Sequence, residues 1–191
     1  MMLKKLPYTI SLLSEDYLNI LTDFRCGNDE IDRYIREDAL NDMNSGKGVT
    51  YLVLNDKKDK LIAYYTLAAT SIIYSETKDI KEKNSIDELK IRGFPAIEIK
   101  MFAVSKVYQD YVYHSEEFGD KILSDMILGS LIGDIYNYSL NILGIQMIVL
   151  YSTKEGFKFY KRNGFETLEK YIPLYSEYTE DCIPMYLRLF D

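Results

Sequence analysis

Residues 145–165 read IQMIVLYSTKEGFKFYKRNGF. Ile145 to Tyr151 is apolar at every position but Gln146, the pattern of a buried strand. Thr153 can cap a helix that runs to Asn163, and Gly164 suits the left-handed position just past a helix C-terminus. A buried strand followed at once by a short helix is a building block of a sheet with helices packed on it.

Working back from that stretch, Phe118 to Leu140 carries Ile122, Leu123, Met126, Ile127, Leu131, Ile132 and Ile135, a stripe so broad that this central helix must be largely covered. A long irregular loop separates it from Pro95 to Val104 (PAIEIKMFAV), a strand with Glu98 and Lys100 on one face before it becomes apolar throughout. Val49 to Leu54 and Leu61 to Tyr74 are rich in β-branched and aromatic residues, and Asn55 to Asp59 supply the turn of a hairpin. Residues 75–94, dense in Lys, Asp and Glu, read as a solvated connector or as an insertion facing a substrate.

At the N-terminal end, Tyr8 to Leu13 reads as a first strand, and Ser14 or Asp16 can cap a short helix. Cys26 to Glu30 opens a second helix with Ile31, Tyr34, Ile35 and Ala39 on one face, ending near Asn44-Ser45-Gly46. Cys182 to Phe190 closes the chain as a strand. The order predicts an α/β fold: a mixed, mostly antiparallel sheet of six to seven strands with helices on both faces.

Composition bounds the function. With 191 residues and 47% hydrophobic content, the chain reads as a single domain over 1–191, able to bury roughly 70% of its unfolded surface. Cys26 and Cys182 are far apart, and no Cys/His spacing suits zinc, so a reducing compartment and no metal are expected. The 23 Lys and Arg against 30 Asp and Glu give a net charge of −7, which opposes long-range attraction to phosphate backbones and leaves only a local basic patch. No export signal begins the chain, and the uncharged run Ile135 to Thr153 is broken by Asn137, Asn141, Gly144 and Gln146. A soluble, cytoplasmic protein is the expectation.

The strand Ile99-Lys100-Met101-Phe102-Ala103-Val104 and the segment Phe159-Tyr160-Lys161-Arg162-Asn163-Gly164-Phe165, at their separation, resemble the GNAT superfamily of N-acetyltransferases. The second matches the family's FYxxxGF signature, and residues 97–167 carry the likeness. Phe24-Arg25-Cys26-Gly27, with an acidic helix behind it, further resembles the branch that includes toxins paired with antitoxins. The resemblance implies acetyl-CoA in a wedge where two parallel strands splay apart. Backbone groups of Phe102, Ala103 and Val104 would then hold the pantetheine arm, and helix N-terminal N–H groups at Phe118, Gly119, Asp120, Lys121 and Ile122 the pyrophosphate.

The sequence departs from the family's Arg/Gln-x-x-Gly-x-Gly/Ala loop. One alignment sets it on His114 to Gly119, keeping only the glycine; another starts it at Tyr108-Gln109 and treats the residues after Gln109 as an insertion. Glu117 and Asp120 then bring carboxylates to the phosphate site, or point to solvent and stabilise the helix start.

The resemblance makes Tyr160 the acid that protonates the departing thiolate, with packing among 18 tyrosines as its plainer role. Glu98 matches a general base; a lysine amine of pKa near 10.4 is only about 0.04% neutral at pH 7 and needs one. An α-amine near 8 needs far less help. As a strand-face residue, Glu98 could equally pair with Lys100. His114, the only histidine, excludes sites built on several histidines. Lys154, Lys158, Lys161 and Arg162 spread over the last helix as a solvated face, or as contacts to the CoA 3′-phosphate or tRNA phosphates.

The expected function is acetyl transfer from acetyl-CoA to a primary amine of a small molecule or protein. Two alternatives stand beside it: a toxin acetylating the amine of aminoacyl-tRNA with an antitoxin partner, and an interaction protein on the same fold that no longer binds acetyl-CoA. Eighteen tyrosines and 8 phenylalanines leave apolar surface for a homodimer, and nothing points to a membrane.

Overall fold

A computed structural model describes residues 6–75, 91–115, 119–168 and 181–190. Strand β1 (Thr9–Leu12) leads through a 3-10 turn (Glu15–Tyr17) to helix α1 (Leu18–Leu21), α2 (Asp29–Glu37) and α3 (Ala39–Asn44). Strands β2 (Val49–Leu54), β3 (Leu61–Ser75) and β4 (Ile91–Val104) follow. After a second 3-10 turn (Lys106–Tyr108) come β5 (Val112–Ser115), β6 (Gly119–Ile122), α4 (Leu123–Asn141), β7 (Met147–Ser152), α5 (Phe157–Arg162), β8 (Glu166–Thr167) and β9 (Ile183–Arg188). The sheet order is β1-β2-β3-β4-β7-β9-β8, and β5 pairs with β6 as a separate hairpin. One pair in the seven-stranded sheet is parallel: β4 and β7, joined through α4. This is the mixed sheet with helices that the sequence predicts. No helix among the described residues is long and apolar enough to cross a membrane.

The chain divides into two compact units. The first comprises Met1–Ala68 and Ile99–Gly133. Its β2–β3 hairpin pairs Thr50 with Thr66 and Leu52 with Tyr64, and strand pleating sends alternate residues to opposite faces. Leu52, Leu54 and Tyr64 meet Phe24, Tyr34 and Ile35 from the helical segment, all buried. Tyr64 anchors this face: its ring meets Phe24 edge-on at 5.4 Å, and its hydroxyl donates to Ile31 O at 2.6 Å. Fully burying each such side chain contributes about 1.5–3 kcal/mol. Val53 and Ala63, on the opposite face, are equally inaccessible, so this part of the sheet is covered on both sides.

The second unit comprises Ala69–Glu98 and Asp134–Asp191. Ile72, Ala96, Met147 and Val149 form its core, with Phe94 and Tyr186 packed against them. The ladder β7–β9 runs antiparallel from Met147↔Arg188 to Ser152↔Ile183. Gln146 N–H donates to Pro95 O at 2.9 Å.

Four local expectations change. The helix read from Cys26 to Gly46 is two helices, because Asp38 at φ −108 departs from helical geometry between α2 and α3. Strand β4 begins at Ile91, four residues before Pro95. The loop before the central helix contains the β5–β6 hairpin, and α4 starts at Leu123 instead of Phe118. Gly119 holds φ +65, outside the right-handed helical region, and Gly119 to Ile122 pair across to β5 instead. The short β8, at Glu166–Thr167, has no period long enough to be read in sequence. Residues 76–90, most of the charged connector, lie outside the described residues.

Candidate active site

In the first unit, β4 ends at Phe102-Ala103-Val104, with Ala103 and Val104 buried. The backbone just beyond is held on two sides. Ser105 N–H donates to Ile62 O at 2.8 Å, and Lys106 N–H donates to Arg25 O at 2.8 Å. Gln109 supplies the clamp: its Nε2 donates to Cys26 O at 2.7 Å and to Val104 O at 3.0 Å. The Phe24–Cys26 loop and the end of β4 are therefore one hydrogen-bonded block. Nothing local in the sequence marks this role of Gln109, since its partner Cys26 is 83 residues away.

That loop is built by α2. Asn28 caps the helix, its Oδ1 accepting from Glu30 N–H at 3.1 Å and Ile31 N–H at 3.2 Å. Gly27 turns at φ +99, a conformation that favours glycine. Asp32, buried, accepts from Cys26 N–H at 2.8 Å, which satisfies a carboxylate otherwise costly to enclose. Cys26 is half-buried, and burial together with the Asp32 carboxylate pushes its thiol up to about 12. It stays protonated at neutral pH and is no nucleophile. Cys26 and Cys182 are both free thiols.

The residues expected at the pyrophosphate lie on strand β6. Gly119, Asp120 and Lys121 are exposed and Ile122 half-buried; Phe118 and Glu117 lie outside the described residues. Asp120 has a partner: its Oδ1 sits 2.7 Å from His114 Nδ1 across the hairpin. At the start of α4, Leu123 N–H donates to Tyr111 O at 2.9 Å, and the buried Ser124 hydroxyl donates to Gln109 O at 3.2 Å. Lys100 pairs with Asp42 at 3.1 Å.

In the second unit, α5 carries Tyr160 on its buried side, at 9% exposure. Its ring meets Phe159 at 5.1 Å and Phe165 at 5.7 Å, both edge-on. A Cβ at Gly156 would come within 3.3 Å of that ring, so a glycine there lets the helix start close to it. Thr153 Oγ1 accepts from Gly156 N–H at 3.2 Å within the turn before α5, so it is not the helix cap expected from the sequence: the helix starts later, at Phe157 behind Gly156, and Gly164 follows its end at φ +89. Burial, with Cys182 nearby, raises the Tyr160 phenol above its ordinary value, so it carries its proton at neutral pH. Glu98 is half-buried on β4. Lys154, Lys158, Lys161 and Arg162 are exposed, with the Arg162 guanidinium 5.0 Å above the Phe159 ring. Among the described residues, no group of three His, Cys, Asp or Glu is placed to hold a metal ion.

No protein-family model matches the chain, and no curated protein matches its sequence. Solved structures match over almost its whole length. A tyrosine-to-phenylalanine mutant of KacT is 15% identical, at a TM-score of 0.66 over 96% of each chain. A tyrosine-to-phenylalanine mutant of the AtaT toxin, bound to the C-terminus of the antitoxin AtaR and acetyl-CoA, is 16% identical, at 0.63 over 96% of this chain and 94% of that one. AtaT complexed with acetyl-methionyl-tRNAfMet is 15% identical, at 0.63 over 93% of each chain. With its parallel β4–β7 pair and the helix between them, the chain has the fold of these toxins, the GNAT fold that its two motifs imply.

Proposed function

We propose that the protein is an N-acetyltransferase that moves the acetyl group of acetyl-CoA directly to a primary amine, without a metal. The observation that carries this reading is Tyr160: a protonated phenol held edge-on between Phe159 and Phe165 on the helix of the FYxxxGF segment.

The amine nitrogen attacks the thioester carbonyl, the C–S bond breaks, and the leaving thiolate takes the Tyr160 proton. Burial raises the pKa of a phenol and of a thiol alike, so a site that makes Tyr160 a weaker acid makes an enclosed thiolate a stronger base. The amine's proton passes to Glu98. The backbone of Phe102 to Val104 takes the pantetheine arm. Gly119 to Ile122 contribute to the phosphate site as a strand, with Lys121 bringing the cation and Asp120 held at 2.7 Å from His114 Nδ1.

A second reading narrows the acceptor to the amine of an aminoacyl-tRNA, with an antitoxin as protein partner. It is favoured by AtaT, which shares this fold and was solved with acetyl-methionyl-tRNAfMet and with AtaR. Such an α-amine depends less on Glu98. A homodimer through exposed apolar side chains is also proposed; Leu140, Ile142 and Leu143 are 55–75% exposed.

Calorimetric titration with acetyl-CoA, CoA and dephospho-CoA tests the central claim. Micromolar binding, weakened without the 3′-phosphate, is expected. Absence of binding up to millimolar concentration would leave an interaction protein on the same fold.

A further inference from the structure

Three segments of the first unit meet at one residue. After β4, the 3-10 turn Lys106–Tyr108 folds the chain back, closed by Tyr108 N–H donating to Ser105 O at 2.7 Å, and returns Gln109 to the strand it has just left. There Gln109 Nε2 donates to Val104 O at 3.0 Å and to Cys26 O at 2.7 Å. Both partners are carbonyl oxygens, so the nitrogen of the amide, and not its oxygen, faces them. Its two hydrogens are then both engaged. The main chain of Gln109 serves the third segment: its carbonyl accepts from the buried Ser124 hydroxyl, at 3.2 Å, in the first turn of α4. Leu123 N–H, donating to Tyr111 O at 2.9 Å, closes the same joint beside it. Gln109 itself is exposed, so hydrogen bonds and not burial fix its place.

We propose that Gln109 is a positioning residue that sets the distance between the two anchors of acetyl-CoA, the end of β4 for the pantetheine arm and strand β6, running into α4, for the phosphates. The inference rests on the acetyltransferase reading and assigns a role within that site. Ile122, the last residue of the phosphate anchor, leads directly into Leu123 and Ser124. One residue therefore holds the first anchor with its side chain and the second with its carbonyl. Val104 O keeps a second lone pair for an amide N–H of the arm, so the clamp and the cofactor do not compete for it. The alignment that starts the phosphate loop at Tyr108-Gln109 would give this side chain to the pyrophosphate. The geometry does not, because the amide has no hydrogen left to offer.

A ligand that spans two fixed anchors gains the effective concentration of the second site over the first, and loses it when the anchors drift apart. A misplacement of about 1 Å costs on the order of 10²-fold where geometry does the holding. A ligand that touches one anchor gains nothing from the position of the other. Positioning is thereby separable from direct contact and from general stability.

The test is titration calorimetry of the full chain with acetyl-CoA and with its two halves, acetyl-pantetheine for the β4 end and adenosine 3′,5′-bisphosphate for the phosphate anchor. Gln109→Met keeps the length of the side chain and removes its donors. It is expected to weaken acetyl-CoA by at least about tenfold while each half stays within about twofold of wild type. Ser124→Ala, which frees the other side of the joint, should show the same pattern at about threefold. Tyr64→Phe removes a hydrogen bond elsewhere in this unit, to Ile31 O, and should leave all three affinities within about twofold. Hydrogen exchange with saturating acetyl-CoA is the second measurement, and it reads the coupling even where a half binds too weakly for calorimetry. Wild type should gain protection at Phe102 to Val104 and in the first turn of α4 together, and Gln109→Met at only one of them.

Unchanged acetyl-CoA affinity in Gln109→Met, or protection at both anchors in that variant, would overturn the inference. So would equal losses for acetyl-CoA and adenosine 3′,5′-bisphosphate, which would make Gln109 a phosphate contact, or the same loss of acetyl-CoA affinity in Tyr64→Phe, which would make the effect one of stability. Each of these outcomes leaves the acetyltransferase reading standing as long as the wild type binds acetyl-CoA. Absence of that binding in the wild type defeats the reading and this inference with it.

Discussion

His114 Nδ1 and Asp120 Oδ1 meet at 2.7 Å across the β5–β6 hairpin, as directly opposed residues of an antiparallel pair. This relationship changes what Asp120 means. Read along the chain, it is a carboxylate at the start of a phosphate-binding helix; in the fold it is one half of a partnered pair on a strand.

Removing His114 should therefore hurt cofactor binding more than removing the Asp120 charge. His114→Ala leaves an unpartnered carboxylate beside the proposed phosphate site and is expected to weaken acetyl-CoA binding about fivefold, while Asp120→Asn changes it less than threefold. Both side chains are about three-quarters exposed, so the melting temperature should move by no more than the equivalent of about 1 kcal/mol in either variant. Titration calorimetry of the two variants decides the order.

Tyr160→Phe keeps the ring that packs between Phe159 and Phe165 and removes only the hydroxyl. Turnover should fall by about 10²-fold or more, with acetyl-CoA affinity within twofold of wild type. Unchanged turnover in a coupled thiol-release assay would remove Tyr160 from the chemistry.

Gln109→Ala breaks both hydrogen bonds that join Cys26 O and Val104 O. At about 1 kcal/mol each, the loss should be about 2 kcal/mol in urea unfolding. Hydrogen exchange should rise in the Phe24–Gly27 loop before it rises in β2 or β3, because only the loop loses its tie.

Alkali should destabilise the protein earlier than lysine titration alone would. Cys26 is pushed up from 9.0 to about 12 and Tyr34 from 10.0 to about 12, each mainly by burial. A raised folded-state pKa means that the folded chain holds its proton where the unfolded chain has released it. Their contribution is fully present below about pH 9 and is lost as pH rises from there through about 12. Urea midpoints measured from pH 8 to 11 should fall continuously. Tyr34→Phe should flatten part of the slope above pH 10, and a flat wild-type profile would contradict both shifts.

The strand and the helix of residues 145–165 are legible because their signals are local. An unbroken apolar run from Met147 to Leu150 is buried, Thr153 closes the turn before α5 through Gly156 N–H, and Gly164 suits its φ of +89. The same holds for the β2–β3 hairpin, whose turn lies between two runs of β-branched and aromatic residues. The acidic residues before α4 were misleading for a physical reason. Ile122 begins the apolar stripe of the helix and an acidic residue such as Asp120 suits a helix first turn, and only the left-handed Gly119 and the partner strand Val112–Ser115 show Gly119 to Ile122 to be a strand.

What the amino-acid order determines by itself is therefore the set of elements whose hydrogen bonds and caps close within a few residues, and the two motifs that mark the GNAT fold. Tertiary structure alone decides the rest. It sets Gln109 as the tie between segments 83 residues apart, Asp32 as the buried acceptor for Cys26 N–H, and His114 as the partner of Asp120. It also decides which side of α5 is covered, turning Tyr160 inward. Each of these depends on which chain segments meet in space, a property that no local period or propensity encodes.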